Sequence, residues 1–257
     1  MGTPTRSNSR ADLRMLSDQC VLSDVHILFI HGALGAESQL RPLGPLLRGQ
    51  HDPHDLHFIE LEGHGNTRLA GSTFTIDGFV RQTIDFLDAR SIDRCAVFGY
   101  SMGGYVGLKL AAEHLDRVTA VATLGTKLAW TPDVAARETS RLDAGTIRAK
   151  VPQFAAVLEQ RHAGSGGWEP VLGRTAALMT ALGRSGKDFQ RTMSKIAQPI
   201  RLMVGDRDSV VTVDETVAAA RAMSKAQAAM LPNTPHPFEQ VRAPLLAALL
   251  DDFFSNV

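Results

Sequence analysis

The octapeptide Val97-Phe98-Gly99-Tyr100-Ser101-Met102-Gly103-Gly104 constrains this chain more than any other stretch. The apolar residues before it, from Cys95 to Phe98, read as a buried strand, and those from Met102 to about His114 read as a helix. Between them lies Gly-x-Ser-x-Gly, the spelling of a tight strand-to-helix turn. A serine on such a turn sits in strained backbone geometry and holds its hydroxyl clear of the sheet. The residues two before and two after it crowd one another, so only glycine, with no Cβ, fits at 99 and 103. The helix that follows turns its unpaired N–H groups and the positive end of its dipole toward that hydroxyl. The pentapeptide alone is weak; a strand before it and a helix after it make Ser101 a candidate reactive residue.

The rest of the chain supplies a frame for that turn. The apolar runs Val25 to Ile30 and Leu56 to Leu61 read as strands buried on both faces, with a helix from about Gln39 to Arg48 between them. An amphipathic helix is expected from about Ile76 to Ala89, with Ile76, Phe79, Val80, Thr83, Ile84 and Leu87 on one face. Val118 to Leu124, Pro199 to Val204 and Ala226 to Leu231 are further strands. Helices are expected at about 213–223 and 241–254. The segment Ala11 to Cys20 fits a short helix or an edge strand equally well. Buried strands alternating with helices predict a mostly parallel sheet covered on both faces, with functional groups gathered at the carboxyl ends of the strands. From Gly125 to Gln198 the alternation stops. Helical stretches there are broken by Pro132, Pro152, Pro170 and the loop Gly164-Ser165-Gly166-Gly167. The expected organisation is therefore an α/β core in two parts, 1–125 and 198–257, with a helical insertion at 126–197 forming a lid.

Composition closes off several function classes. Apolar residues make up 44% of the 257, enough for a sizeable core, and the formal net charge of zero gives no reason to expect a nucleic-acid partner. No apolar run reaches membrane-spanning length, and the polar stretch Met1 to Arg10 lacks the apolar centre of a signal peptide, so a cytoplasmic location is expected. Cys20 and Cys95 are too few for a disulfide framework, and Cys95, inside an apolar strand, reads as a buried free thiol. His51, His54 and His57 cluster in a loop without a ligand spacing that implies a metal. Within Thr126 to Ile196 there are eleven Lys or Arg against six Asp or Glu. This surplus fits a solvated basic face and, more weakly, an anionic substrate.

A serine hydroxyl needs a base, because it is almost fully protonated at neutral pH. His236, after the last strand and between Pro235 and Pro237, is the best placed of the nine histidines. His26, His114 and His162 have no supporting neighbours in sequence. The base needs a carboxylate to hold its tautomer, and Val204-Gly205-Asp206-Arg207-Asp208 offers two, Asp208 and Asp206. Acyl transfer would also need two donors for a developing oxyanion. The Met102 N–H is one candidate, and the Ala33 N–H, in the loop after the first strand, is the other.

With these residues in place, the chain resembles the α/β-hydrolase superfamily, in its form with a helical cap, from Val25 to the C-terminal helix. His31-Gly32-Ala33-Leu34-Gly35 matches the oxyanion loop, and Glu62-Gly63-His64-Gly65-Asn66-Thr67 the loop after the next strand. Gly99-Tyr100-Ser101-Met102-Gly103-Gly104 matches the serine turn, Gly205 to Asp208 the acid turn and His236 the base. The resemblance implies the acid three residues after the glycine, hence Asp208, and structural bracing roles for His31 and His64. It implies a serine hydrolase acting on a small-molecule carboxylic ester or related acyl compound, with no metal and no organic cofactor. The family often has a proline and a serine where this chain has Glu62 and Thr67, so Glu62 either faces the pocket or is a solvated loop carboxylate. Candidate substrate contacts are Leu34, Trp130, Phe154, Trp168 and Phe238, with Met179 beside them. A carbon–carbon bond hydrolase or lyase, of the menaquinone-pathway type that shares the Gly-Tyr-Ser-Met-Gly-Gly spelling, is the rival expectation, and a non-catalytic binding protein on the same fold is a third.

Overall fold

The computed structural model describes residues 26–47, 56–68, 71 and 73–257, with 186–190 as backbone only. The segment 11–20, Cys20, Val25, Arg48, His51 and His54 lie outside the described residues. Among the described residues six strands form one parallel sheet: β1 Ile27–Ile30, β2 Leu56–Ile59, β3 Cys95–Tyr100, β4 Val118–Leu124, β5 Ile200–Gly205 and β6 Ala226–Leu231. Their spatial order is β2-β1-β3-β4-β5-β6. The chain passes from β1 outward to β2, then crosses back over β1 to β3. The strand order therefore reverses beside β1 and β3, where loops diverge and leave a crevice.

Residues alternate between two cores. Leu28, Ile30, Val97 and Val121 join one buried cluster, with helices α2 (Ile76–Asp88), α3 (Met102–Glu113) and α8 (Val213–Arg221). Ile27, Phe29, Phe98 and Ala122 join the other, beneath α1 (Gly44–Leu47) and α9 (Ala243–Phe254). The central strands β1 and β3 are buried throughout, as near-continuous apolar runs require. The edge strands β2 and β6 are largely half-buried or exposed, contrary to the buried strand expected at Leu56 to Leu61, because each has a neighbour on one side only. Cys95 is a buried free thiol, pushed up to about 12 by that burial.

Two expected helices are corrected. The stretch from Gln39 is two single 3-10 turns, Glu37–Gln39 and Arg41–Leu43, before α1, because Pro42 and Pro45 lack the N–H groups that a continuous helix would use. The final helix starts at Ala243, not Val241. Phe238–Gln240 forms a separate 3-10 turn, and Pro244 sits in the first turn of α9. Between β4 and β5 the described residues are helical: α4 Pro132–Thr139, α5 Ala144–Lys150, α6 Pro152–Arg161 and α7 Trp168–Met193. Thr131 and Asp143 cap α4 and α5 by accepting the Val134 and Thr146 N–H groups. Helix α7 packs on α4 and on α3, which brings the insertion against the carboxyl edge of the sheet. No helix among the described residues is long and apolar enough to cross a membrane.

Three buried histidines knit the loops at that edge. His31 donates from Nδ1 to the Gly32 carbonyl at 2.8 Å and accepts the Leu61 N–H at Nε2 at 3.1 Å. His64 stacks on Phe74, ring centroids 4.8 Å apart. His162, which ends α6, accepts the Gly65 N–H at Nδ1 and meets the Leu34 carbonyl through Nε2, both at 3.1 Å. Burial lowers all three below the ordinary imidazole range, His31 to about 4. Folded, they stay neutral; unfolded, each takes a proton near pH 6.5. Their stabilising contribution is whole above pH 6.5 and falls as the pH drops toward 4, by about 1.4 kcal/mol per pH unit for each histidine charged only in the unfolded chain. Thermal melts followed by circular dichroism should show the midpoint dropping steeply from pH 7 to pH 5. His64→Phe, which keeps the stack and removes one proton site, should make that drop shallower; an unchanged slope would refute the assignment.

Candidate active site

Ser101 links β3 to α3 with φ 52° and ψ −114°, a conformation that costs a residue with a Cβ about 1–3 kcal/mol. Its peptide groups are engaged on every side. The N–H donates to the Leu124 carbonyl at 2.8 Å, and the carbonyl accepts from the Gly104 N–H at 3.1 Å and the Thr126 hydroxyl at 3.0 Å. The flanking glycines serve different contacts. A Cβ at Gly99 would collide with the backbone of Gly103 and Gly104, and one at Gly103 with the carbonyls of Ile30 and His31 at the end of β1.

Two loops supply a chain of contacts from the Ser101 hydroxyl. His236, after β6, places Nε2 3.3 Å from Ser101 Oγ, and its carbonyl accepts the Tyr100 hydroxyl at 2.6 Å. Its Nδ1 lies 2.8 Å from Asp208 Oδ2 in the loop after β5. The Asp208 side chain, 2% exposed, also accepts the Val210 and Val211 N–H groups at Oδ1, both at 2.8 Å. Asp206, the other carboxylate in that turn, accepts the Thr234 N–H at 3.1 Å and does not meet His236. Gly125 was not singled out by its sequence, yet its φ of 61° and a Cβ position 3.2 Å from Asp208 Oδ2 leave that corner to glycine. Its signal was the place at the end of β4, where every other strand of the sheet's centre carries a site residue.

Met102 and Ala33, the residues expected to supply the oxyanion donors, lie beside Ser101. Met102 opens α3, so its N–H has no acceptor within the helix. Ala33 lies in a turn closed by the Gly35 N–H on the Gly32 carbonyl at 3.1 Å, with Leu34 at φ 57°. Ala33, Ser101 and Met102 line one mainly apolar inner compartment of about 40 Å³ with Ile76, Tyr105, Trp130, Leu178, Met179 and Leu182, and with the polar Lys127 and Thr175. A wider compartment of about 260 Å³ adjoins it, bounded by Leu34, Trp130, Phe154, Met179 and His236.

Two expected contacts are corrected, and one other possibility falls away. Trp168 is 1% exposed inside the insertion's own core with Ile147, Leu158 and Leu172, its indole N–H donating to Glu159 at 2.9 Å, and it lines neither compartment. Phe238 packs edge-on against Tyr100 at 5.1 Å on the α9 side of the sheet and likewise stays out of both. Glu62 does not border them either. His57, from the loop considered for a metal, pairs instead with His26 across β1 and β2, ring nitrogens 3.1 Å apart. The cations at the cavity are each paired: Lys127 with Glu215 at 3.0 Å, Arg141 with Glu138 at 3.2 Å and Arg161 with Glu239 at 2.6 Å.

Comparison with known proteins agrees with this architecture. One stretch of 100 residues is 39% identical to the dihydrolipoyllysine-residue acetyltransferase component of the acetoin cleaving system of Cupriavidus necator, covering 37% of this chain and 25% of that protein. Another, of 92 residues, is 29% identical to esterase YbfF of Escherichia coli, covering 36% and 35% of the two. The chain thus spans a quarter to about a third of the length of these curated relatives. A thermophilic esterase from Thermogutta terrifontis shares the fold, with a TM-score of 0.71 at 18% identity over 90% of each chain. The family model for the alpha/beta hydrolase fold matches residues 25–167, more than half of the sequence, and the chain belongs to that family.

Proposed function

We propose that this hydrolase-family protein cleaves carboxylic esters or related acyl compounds through an acyl-enzyme on Ser101. The observation that carries the reading is the continuous contact from Ser101 Oγ to His236 Nε2 (3.3 Å) and from His236 Nδ1 to Asp208 Oδ2 (2.8 Å). A carboxylate accepting at Nδ1 fixes the proton there and leaves Nε2 free to take the serine proton. As Ser101 Oγ bonds to the acyl carbon, the carbonyl π electrons move onto oxygen, where the Met102 and Ala33 N–H groups would stabilise the charge. Losing one such donor typically costs about 3 kcal/mol of transition-state stabilisation. The imidazolium then protonates the departing alcohol. Water, deprotonated by the same nitrogen, releases the acid and restores the serine. No step calls for a cofactor.

The compartments refine the substrate class. The inner compartment is the smaller of the two and is lined mainly by apolar side chains. That suits a short acyl group, with the larger alcohol portion in the outer compartment. The rival carbon–carbon chemistry on an anionic substrate drew on the insertion's basic surplus; at the cavity Lys127, Arg141 and Arg161 already face carboxylates.

A fluorophosphonate probe should label the wild type and spare Ser101→Ala, and Ser101→Ala should lose turnover of short p-nitrophenyl esters by about 10⁴-fold or more. A wild type that neither labels nor turns over any ester sinks the proposal. Asp208→Asn should lower kcat by orders of magnitude while Asp206→Asn lowers it less than about tenfold; the reverse ranking would transfer the role to Asp206. Across an acyl series, kcat/KM should peak between acetyl and butyryl esters, and Leu182→Ala should move the optimum to longer chains. A flat profile, or an optimum at octanoyl, contradicts the assignment of the inner compartment.

A further inference from the structure

We propose that Arg161 and His162, at the end of α6 in the helical insertion, are positioning residues that complete the oxyanion site by holding the Leu34 carbonyl. The inference rests on Ala33 serving as an oxyanion donor, as in the function proposed above. Two adjacent side chains of the insertion converge on that one carbonyl: Arg161 Nη1 at 2.9 Å and His162 Nε2 at 3.1 Å. The tautomer of His162 follows from its surroundings. Nδ1 faces the Gly65 N–H and must accept, so the proton resides on Nε2 and is donated to Leu34.

From there the contacts pass through two peptide units to the reacting position. The Leu34 carbonyl belongs to the same peptide as the Gly35 N–H, and that N–H donates to the Gly32 carbonyl at 3.1 Å. The Gly32 carbonyl, also held by His31 Nδ1 at 2.8 Å, shares its peptide with the Ala33 N–H. Fixing the Leu34 carbonyl therefore fixes the plane whose far end is the proposed donor. The turn has a reason to move without this restraint. Leu34 is held at φ 57°, which leucine rarely adopts, and relaxation to negative φ would swing the Gly35 N–H away from Gly32. The arrangement is further tied to the base: Arg161 Nη2 and Gln39 Nε2 both donate to Glu239 Oε1, at 2.6 and 2.7 Å, three residues after His236. The oxyanion loop is thus set for catalysis while the insertion is docked on it, and undocking removes both donors to Leu34 together.

Arg161 borders the outer compartment, so the discriminating changes belong at His162, which is fully buried. His162→Gln places an amide N–H near the old Nε2 and keeps the bond to Leu34. His162→Asn places an amide oxygen near the old Nδ1, keeping the Gly65 bond and losing the one to Leu34. With both variants shown by thermal melts to be folded, His162→Asn should lower kcat on a short ester about tenfold to a hundredfold with KM within about threefold, and His162→Gln should retain most of it. Amide hydrogen exchange across 32–36 should quicken about tenfold in the Asn variant and little in the Gln variant. Equal effects of the two on kcat and exchange would overturn the proposal, since a purely structural histidine loses one bond either way. Exchange decides the matter even if the wild type turns over no ester, a result that would count against the proposed function alone. Should a His162 variant fail to fold, Arg161→Met replaces it, and unchanged exchange across 32–36 in that variant would overturn the proposal.

Discussion

The close approach of the first turn of α3 to the end of β1 sets the geometry of everything around it. Gly103 lies so near the Ile30 and His31 carbonyls that no side chain fits, and Gly99 is pressed as tightly against Gly103 and Gly104. That contact holds Ser101 in its strained conformation and puts the start of α3 beside the loop after β1. Two residues from separate elements, Met102 and Ala33, thereby border one small compartment. A single methyl group at position 103 would push the helix from the strand and separate them. The backbone strain at Ser101 is sustained by ordinary hydrogen bonds to Leu124, Gly104 and Thr126, so the surrounding sheet, not the turn itself, stabilises it.

Much of this was legible in the sequence, for identifiable reasons. Buried central strands announce themselves as apolar runs, and the glycines at 99 and 103 announce a backbone contact that excludes Cβ. His236 between two prolines and Asp208 after a strand could be placed because strand ends in a parallel sheet converge on one edge. What the sequence hid was direction and distance. An aromatic residue in a helical insertion carries no local signal of which side it faces, so Trp168 read as a pocket residue when it fills the insertion's own core. Phe238 lies two residues from His236, yet the 3-10 turn after Pro237 directs it to the α9 side of the sheet. His162 looked unsupported because its partners, Leu34 and Gly65, lie 128 and 97 residues away.

The neutral histidines show how burial and hydrogen bonding share a task. An imidazole that both donates and accepts can join two backbone groups of different loops, as His31 joins Gly32 to Leu61 and His162 joins Leu34 to Gly65. Only the uncharged ring has an acceptor, so the low proton affinity imposed by burial preserves the bridge. His236 is the contrasting case: it sits at the cavity, and its Nδ1 meets a carboxylate, not a backbone group.

The carboxylate of Glu239 gathers Gln39 from one end of the chain and Arg161 from its middle, across 200 and 78 residues. The Ser101 to His236 contact spans 135. Such separations make the site a late product of folding, because loops of this length must close before any of these bonds can form. The central strands can pair while the chain is still emerging, but until the residues just past the last strand arrive, Ser101 stands on its turn without His236. During synthesis Ser101 is therefore without its histidine partner, and the contacts of the proposed site close only when the whole sheet has been assembled.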